Sequence, residues 1–274
     1  MIADPTKIEA LTLIKLGVAI SLVLSSFEYL FIREQLRDRA WMSWAVSRHL
    51  SSWTVIGPIA NSLNLILKYP NVLVLLTGRL LLAAVLPFCQ FGTASNIAVI
   101  GGLFLTSILF ALRCPYGLEG SDQMVMVLLG SLTGASFAPM SSVVTAAALW
   151  FITLQICLAY LTSGVAKARS KLWRDGSALQ KIMDTAIYGN HRVSAVLSRH
   201  TQAACLINWA IVLGELLFPI GLLLPEYIFF CVLILGILVH LIAAAVMGLN
   251  NFFITFVSGY PALIYCYQDL HRRS

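Results

Sequence analysis

Tyr160, Ser163 and Lys167 fall on one helical face at i, i+3 and i+7, a phenol, a hydroxyl and an amine within two turns. Gly164 leaves space one turn below the amine, and Trp173, Asp175 and Gly176 follow. A lysine at a membrane edge commonly reaches for the headgroups, and spacing alone favours that reading. Enclosed by apolar groups, the same amine would lose its charge by desolvation and become a base near neutral pH. The two readings assign different chemistry to Lys167: lipid contact or proton abstraction.

Other ionisable groups stand within apolar runs, where each is costly and so a functional candidate. They are Glu28, Arg79, Glu215 and His240, with Asp122 at the edge of a run. Asn208 lies seven residues before Glu215, so both face inward on one stripe. Glu215 reads as a counter-ion for Arg79 or as a cavity-lining carboxylate. His240 shares its helix with Gly236, Ala243, Ala244 and Met247, small or flexible residues that admit a neighbouring helix. It reads as an interhelical hydrogen-bonding group, or as a site residue with the polar knot Gly248-Leu249-Asn250-Asn251 that follows.

The elements that must position these groups are apolar helices. Of the 274 residues 59% are apolar and 11% charged, with a mean hydropathy of +0.86. A soluble domain carries about a quarter charged residues. The chain therefore reads as all-α, a polytopic transmembrane helical bundle. About eight spans are expected, near 10–32, 70–91, 95–113, 122–139, 142–164, 203–224, 227–248 and 250–268. Residues 53–68, with Gly57, Pro58, Asn61 and Asn64, read as re-entrant or interfacial. The organisation expected is an N-terminal span plus this segment over 1–70, a membrane domain over 71–268 and a short polar tail over 269–274.

The net charge of +6 sits in the gaps between runs, which points to lipid headgroups and membrane orientation and away from nucleic acid. If 53–68 does not cross, the two long basic gaps share the cytoplasmic side and both termini lie outside, with Arg272 and Arg273 on the disfavoured side. If it does cross, the two gaps separate. Arg37, Trp41, Trp44 and Arg48 share a wheel face, as expected of a lipid-facing collar helix over 33–50. The six cysteines include no CxxC pair and read as small buried hydrophobes, and no metal site is expected. No pair of broken helices recurs in two halves, which argues against a transporter.

The string Gly164-Val165-Ala166-Lys167, followed by Trp173 and Asp175-Gly176, resembles the "G-x-x-K … W-x-[DE]-G" signature of the HTTM superfamily, the membrane domain shared with vitamin K-dependent gamma-glutamyl carboxylase. Three further stretches resemble that family in the same order, so that the likeness runs from about residue 71 to 265: Glu119 to Gln123; Gly214-Glu215-Leu216-Leu217-Phe218-Pro219; and His240 with Met247-Gly248-Leu249 and Phe252-Phe253. The resemblance implies a membrane enzyme that uses a reduced quinone such as vitamin K hydroquinone. It makes Lys167 the catalytic base and His240 a second catalytic residue, in a cavity lined by Asp122, Tyr160, Gly164, Trp173, Glu215 and Asn250. A bacterial cytoplasmic membrane and a peptide substrate or separate partner protein go with it. Ala166 stands where the carboxylase has a second lysine, and the sequence stops about six residues beyond the last span, where the carboxylase continues into a soluble domain. Glutamate carboxylation is therefore not expected. The alternative is a non-catalytic membrane partner in peptide maturation, export or immunity.

Overall fold

The computed structural model describes residues 5–49, 57–115, 120–139 and 142–273. Among them every regular element is a helix. Six helices are long and apolar enough to cross a bilayer: Thr6–Phe31, Asn71–Phe88, Ala94–Arg113, Val143–Arg169, Thr201–Leu223 and Glu226–Met247. Their outward faces are apolar. In the last of them Ile234, Leu235 and Ile242 are each more than half exposed. Water would penalise such a stripe, whereas hydrocarbon does not. The chain is an integral membrane protein.

The other two expected spans differ. Gly120–Ser136 is a helix of 17 residues, at the lower limit for crossing. The run 250–268 divides at Gly259 into Asn250–Ser258 and Tyr260–Arg273. Within 53–68, residues 53–56 lie outside the described residues, and Gly57–Leu67 is a helix of 11 residues. At 1.5 Å per residue the described helix is about 16 Å long.

The collar helix expected over 33–50 does not form. Arg33–Leu36 is a 3-10 turn and Trp44–Ser47 a single α-turn. Trp41 is 68% exposed and Trp44 only 2%, so the two do not share a face. Trp44 instead donates its indole N–H to Asn64 Oδ1 at 2.8 Å. The wheel failed because Ser43, with extended backbone, caps the short helix by accepting from Ala45 N and so resets the register.

The chain forms two compact units, Met1–Ile152 with Ile254–Tyr265, and Thr153–Phe253 with Cys266–Ser274. In the first, Gly17, Ser21 and Ser25 line one face of helix Pro5–Phe31. A Cβ at Gly17 would collide with the Ser258 side chain, Ser21 Oγ lies 2.8 Å from Thr255 Oγ1, and Ser25 Oγ accepts from Arg79 Nη2 at 3.1 Å. Small residues let helix backbones approach, and hydroxyls then bond across the gap. Arg113 is fully buried and donates to the carbonyls of Met42 (2.9 Å) and Leu36 (2.7 Å). It thereby holds the irregular segment after the first helix over the core of Leu36, Met42, Val72, Leu76, Phe110 and Cys114.

In the second unit Asn208 donates its amide to the carbonyls of Gly176 (2.9 Å) and Ala204 (2.7 Å). Gly176 has φ +80°, and a Cβ there would lie 2.7 Å from Cys205 Cα, so both conformation and space require glycine. Helix Glu226–Met247 ends on Gly248, whose φ of 76° closes a left-handed cap with its N–H on Ala244 O.

Candidate functional site

The second unit gathers most of the expected site residues. Lys167 lies in the last turn of helix Val143–Arg169. Its Nζ is 2.6 and 2.7 Å from the two carboxylate oxygens of Glu215 and 2.6 Å from Ser163 Oγ. The two charged side chains are 21% and 17% exposed. The Trp173 ring lies 5.2 Å from the amine, within cation–π range. Lys167 therefore neither snorkels freely nor sits in a wholly apolar pocket: a carboxylate meets it. An ammonium has three donors, and all three are engaged.

Glu215, expected as a counter-ion or a cavity-lining carboxylate, is the ion-pair partner of Lys167. Arg79, in the first unit, donates to Ser25 Oγ and lines a cavity of about 10 Å³ with Tyr29, Ser107 and Asp122. That volume is about one water molecule. Within the first unit Asp122 thus lines one cavity with Arg79. Glu119, in the same stretch, lies outside the described residues.

Tyr160 and His240 form a second pair, with the phenol oxygen 2.7 Å from Nε2, and both are buried. Tyr160 stacks on Phe218, ring centroids 3.8 Å apart and planes within 9°. The Phe252 ring lies 5.0 Å from the imidazole. Phe218 opens a 3-10 stretch, Phe218–Leu223, whose Pro219 cannot continue the helix that carries Glu215. Glu215 and Phe218 are thus fixed one turn apart. Along helix Val143–Arg169 the two pairs are seven residues apart, about 10 Å.

Two further residues take other roles than expected. Gly164 lines no space, because a Cβ there would lie 2.8 Å from Leu216 N and 3.2 Å from Glu215 C. It is the point at which the helix carrying Glu215 crosses, and its missing side chain lets the carboxylate reach the amine. Asn250 is exposed and begins the helix Asn250–Ser258 with its N–H on Gly248 O. The polar knot is a helix stop and restart, and Phe252, two residues on, is the residue that meets His240. Asp175 accepts from the N–H and hydroxyl of Ser177, which hold its carboxylate below the usual range. With Gly176 it forms the turn that follows Trp173.

Phe218 and Phe252 were missed as site residues because aromatic residues are common in every span. Lys15 was missed as well: it lies within the first helix, buried, donating to Cys89 O with the Phe91 ring 4.7 Å away. Its place in an apolar run was the available signal.

The chain matches no protein-family model, no curated protein and no solved structure. What stands is the class that fold and composition define, a helical integral membrane protein carrying a partly buried acid–base pair.

Proposed function

We propose that this protein handles protons for a lipid-soluble molecule at the Lys167–Glu215 pair, as a membrane enzyme of the HTTM type in the bacterial cytoplasmic membrane. The observation that carries the reading is an amine and a carboxylate in bidentate contact inside an apolar helical unit, with a hydrogen-bonded Tyr160–His240 pair two turns away. Ion pairs withdrawn from water are poor stabilisers compared with apolar packing, so this partly buried pair has a reason beyond stability.

A reduced quinone, the cofactor the resemblance implies, supplies a weakly acidic hydroxyl and reducing equivalents. The donor set fits such a hydroxyl with one change of role. A carboxylate has about four acceptor positions, and Lys167 takes two of those on Glu215. Glu215 therefore keeps capacity to accept a proton, while Lys167, its donors engaged, holds the carboxylate in place. Trp173 shields the amine on one side. Tyr160 and His240 provide a second donor–acceptor pair, held by stacking on Phe218.

The test is consumption of vitamin K hydroquinone under air by the chain in lipid nanodiscs. Wild type is expected to exceed empty discs, with Glu215→Gln and Lys167→Met at or near background while remaining folded. Undiminished turnover in both variants would remove the proposal.

A second reading is favoured by Gly164: the close crossing makes the pair a clasp between helices in a non-catalytic partner for peptide maturation, export or immunity. It predicts no turnover by wild type, and loss of stability as the main effect of each variant.

A further inference from the structure

A different part of the second unit supports an inference that does not depend on the acid–base pair. Helices Val143–Arg169 and Thr201–Leu223 are consecutive candidate spans, so the chain between them opens on a single membrane face. From Arg169 to His200 this stretch carries six cations, Arg169, Lys171, Arg174, Lys181, Arg192 and Arg199, all exposed. Among the described residues none of the six forms an ion pair. The same stretch has two carboxylates, and each is turned to a local hydroxyl: Asp175 to Ser177 and Asp184 to Ser194. The negative charge is thus engaged locally, Arg174 donates to the Ala168 and Arg169 carbonyls, and the side chains of the other five cations are turned to no hydrogen-bond or ion-pair partner among the described residues.

Apolar side chains are interleaved with these cations. Ile187 is 82% exposed and Val196 57%, on a connector with no span of its own to explain them. Helix His191–Arg199 begins on a built cap, with Asn190 Oδ1 accepting from Arg192 N and Val193 N, so Arg192, Val196 and Arg199 are held on an ordered turn. Exposed apolar groups among unpaired cations, beside two span ends, match an anionic bilayer surface, where headgroup phosphates meet the cations and the boundary of the acyl layer takes the apolar tips.

We propose that residues 169–200 form a binding platform for anionic phospholipid headgroups, with Lys181, Arg192 and Arg199 as the phosphate-facing cations and Ile187 and Val196 as shallow anchors. The charge complementarity selects anionic over zwitterionic lipid.

The test is native mass spectrometry of the full chain in detergent with an equimolar mixture of phosphatidylglycerol and phosphatidylcholine. Wild type is expected to retain phosphatidylglycerol by at least tenfold. The variant Lys181→Gln/Arg192→Gln/Arg199→Gln should lose most of that preference, up to about fivefold per cation. Raising salt should weaken the wild-type preference in the same direction, which keeps the idea testable if the variant fails to fold. Ile187→Asp should lower retention of phosphatidylglycerol but not of free glycerol phosphate. Equal retention of the two lipids by wild type would overturn the proposal. So would competition by free glycerol phosphate as strong as that by the lipid, or preference for an acidic peptide over the lipid.

Discussion

The two units hold their buried and partly buried cations in different ways. In the first, Arg113 is gripped by two backbone carbonyls and Lys15 by one carbonyl and an aromatic ring, partners that cannot take a proton. In the second, Lys167 is gripped by a carboxylate and a hydroxyl. A cation on carbonyls is a pin: it satisfies backbone that would otherwise be orphaned in an apolar setting. A cation on a carboxylate adds an exchangeable proton. A formal charge inside a membrane protein is therefore not yet a functional signal; the partner decides.

The largest effect expected from breaking this contrast is at the pin. Arg113→Met leaves the Leu36 and Met42 carbonyls without their charged donors and should cost about 3 kcal/mol in a denaturant titration in detergent. Cys114 reports the same event. Burial pushes its thiol up to about 11 against the opposing Arg113 charge, so alkylation at pH 8 should be negligible in wild type; in Arg113→Met the released segment 36–42 should expose Cys114 and speed alkylation although that charge is lost. Next comes the crossing in the second unit. Gly164→Ala places a methyl 2.8 Å from the Leu216 amide and should cost about 2 kcal/mol, with the Lys167–Glu215 contact loosened. Gly101→Ala, in a helix with open space at that position, should be neutral or slightly stabilising in the same assay. A smaller effect, about 1 kcal/mol, is expected for Tyr160→Phe, which deletes the bond to His240 and keeps the ring on Phe218.

Helical class and most spans were legible because hydropathy over some 20 residues is a strong signal and does not depend on partners. What the spacing of Tyr160, Ser163 and Lys167 conveyed was a shared face, and Ser163 and Lys167 are indeed bonded along it. Pairings across helices were not legible. Glu215 read as a counter-ion for Arg79 or a cavity-lining carboxylate, and its contact with Lys167 depends on the crossing at Gly164, since a glycine reads equally as a void and as a contact. Gly248 to Asn251 read as a polar cluster, when the left-handed φ of Gly248 makes it a helix end. The collar helix was misread because a wheel assumes a continuous helix, and the cap at Ser43 interrupts it.

The contact between Lys167 and Glu215 is tested most directly by a double-mutant cycle of Lys167→Met and Glu215→Gln in lipid nanodiscs. The two substitutions should couple by at least about 1 kcal/mol, the double variant being more stable than the sum of the singles requires. Additivity to within about 0.4 kcal/mol would mean that amine and carboxylate do not sense each other, and the account of the second unit would be wrong.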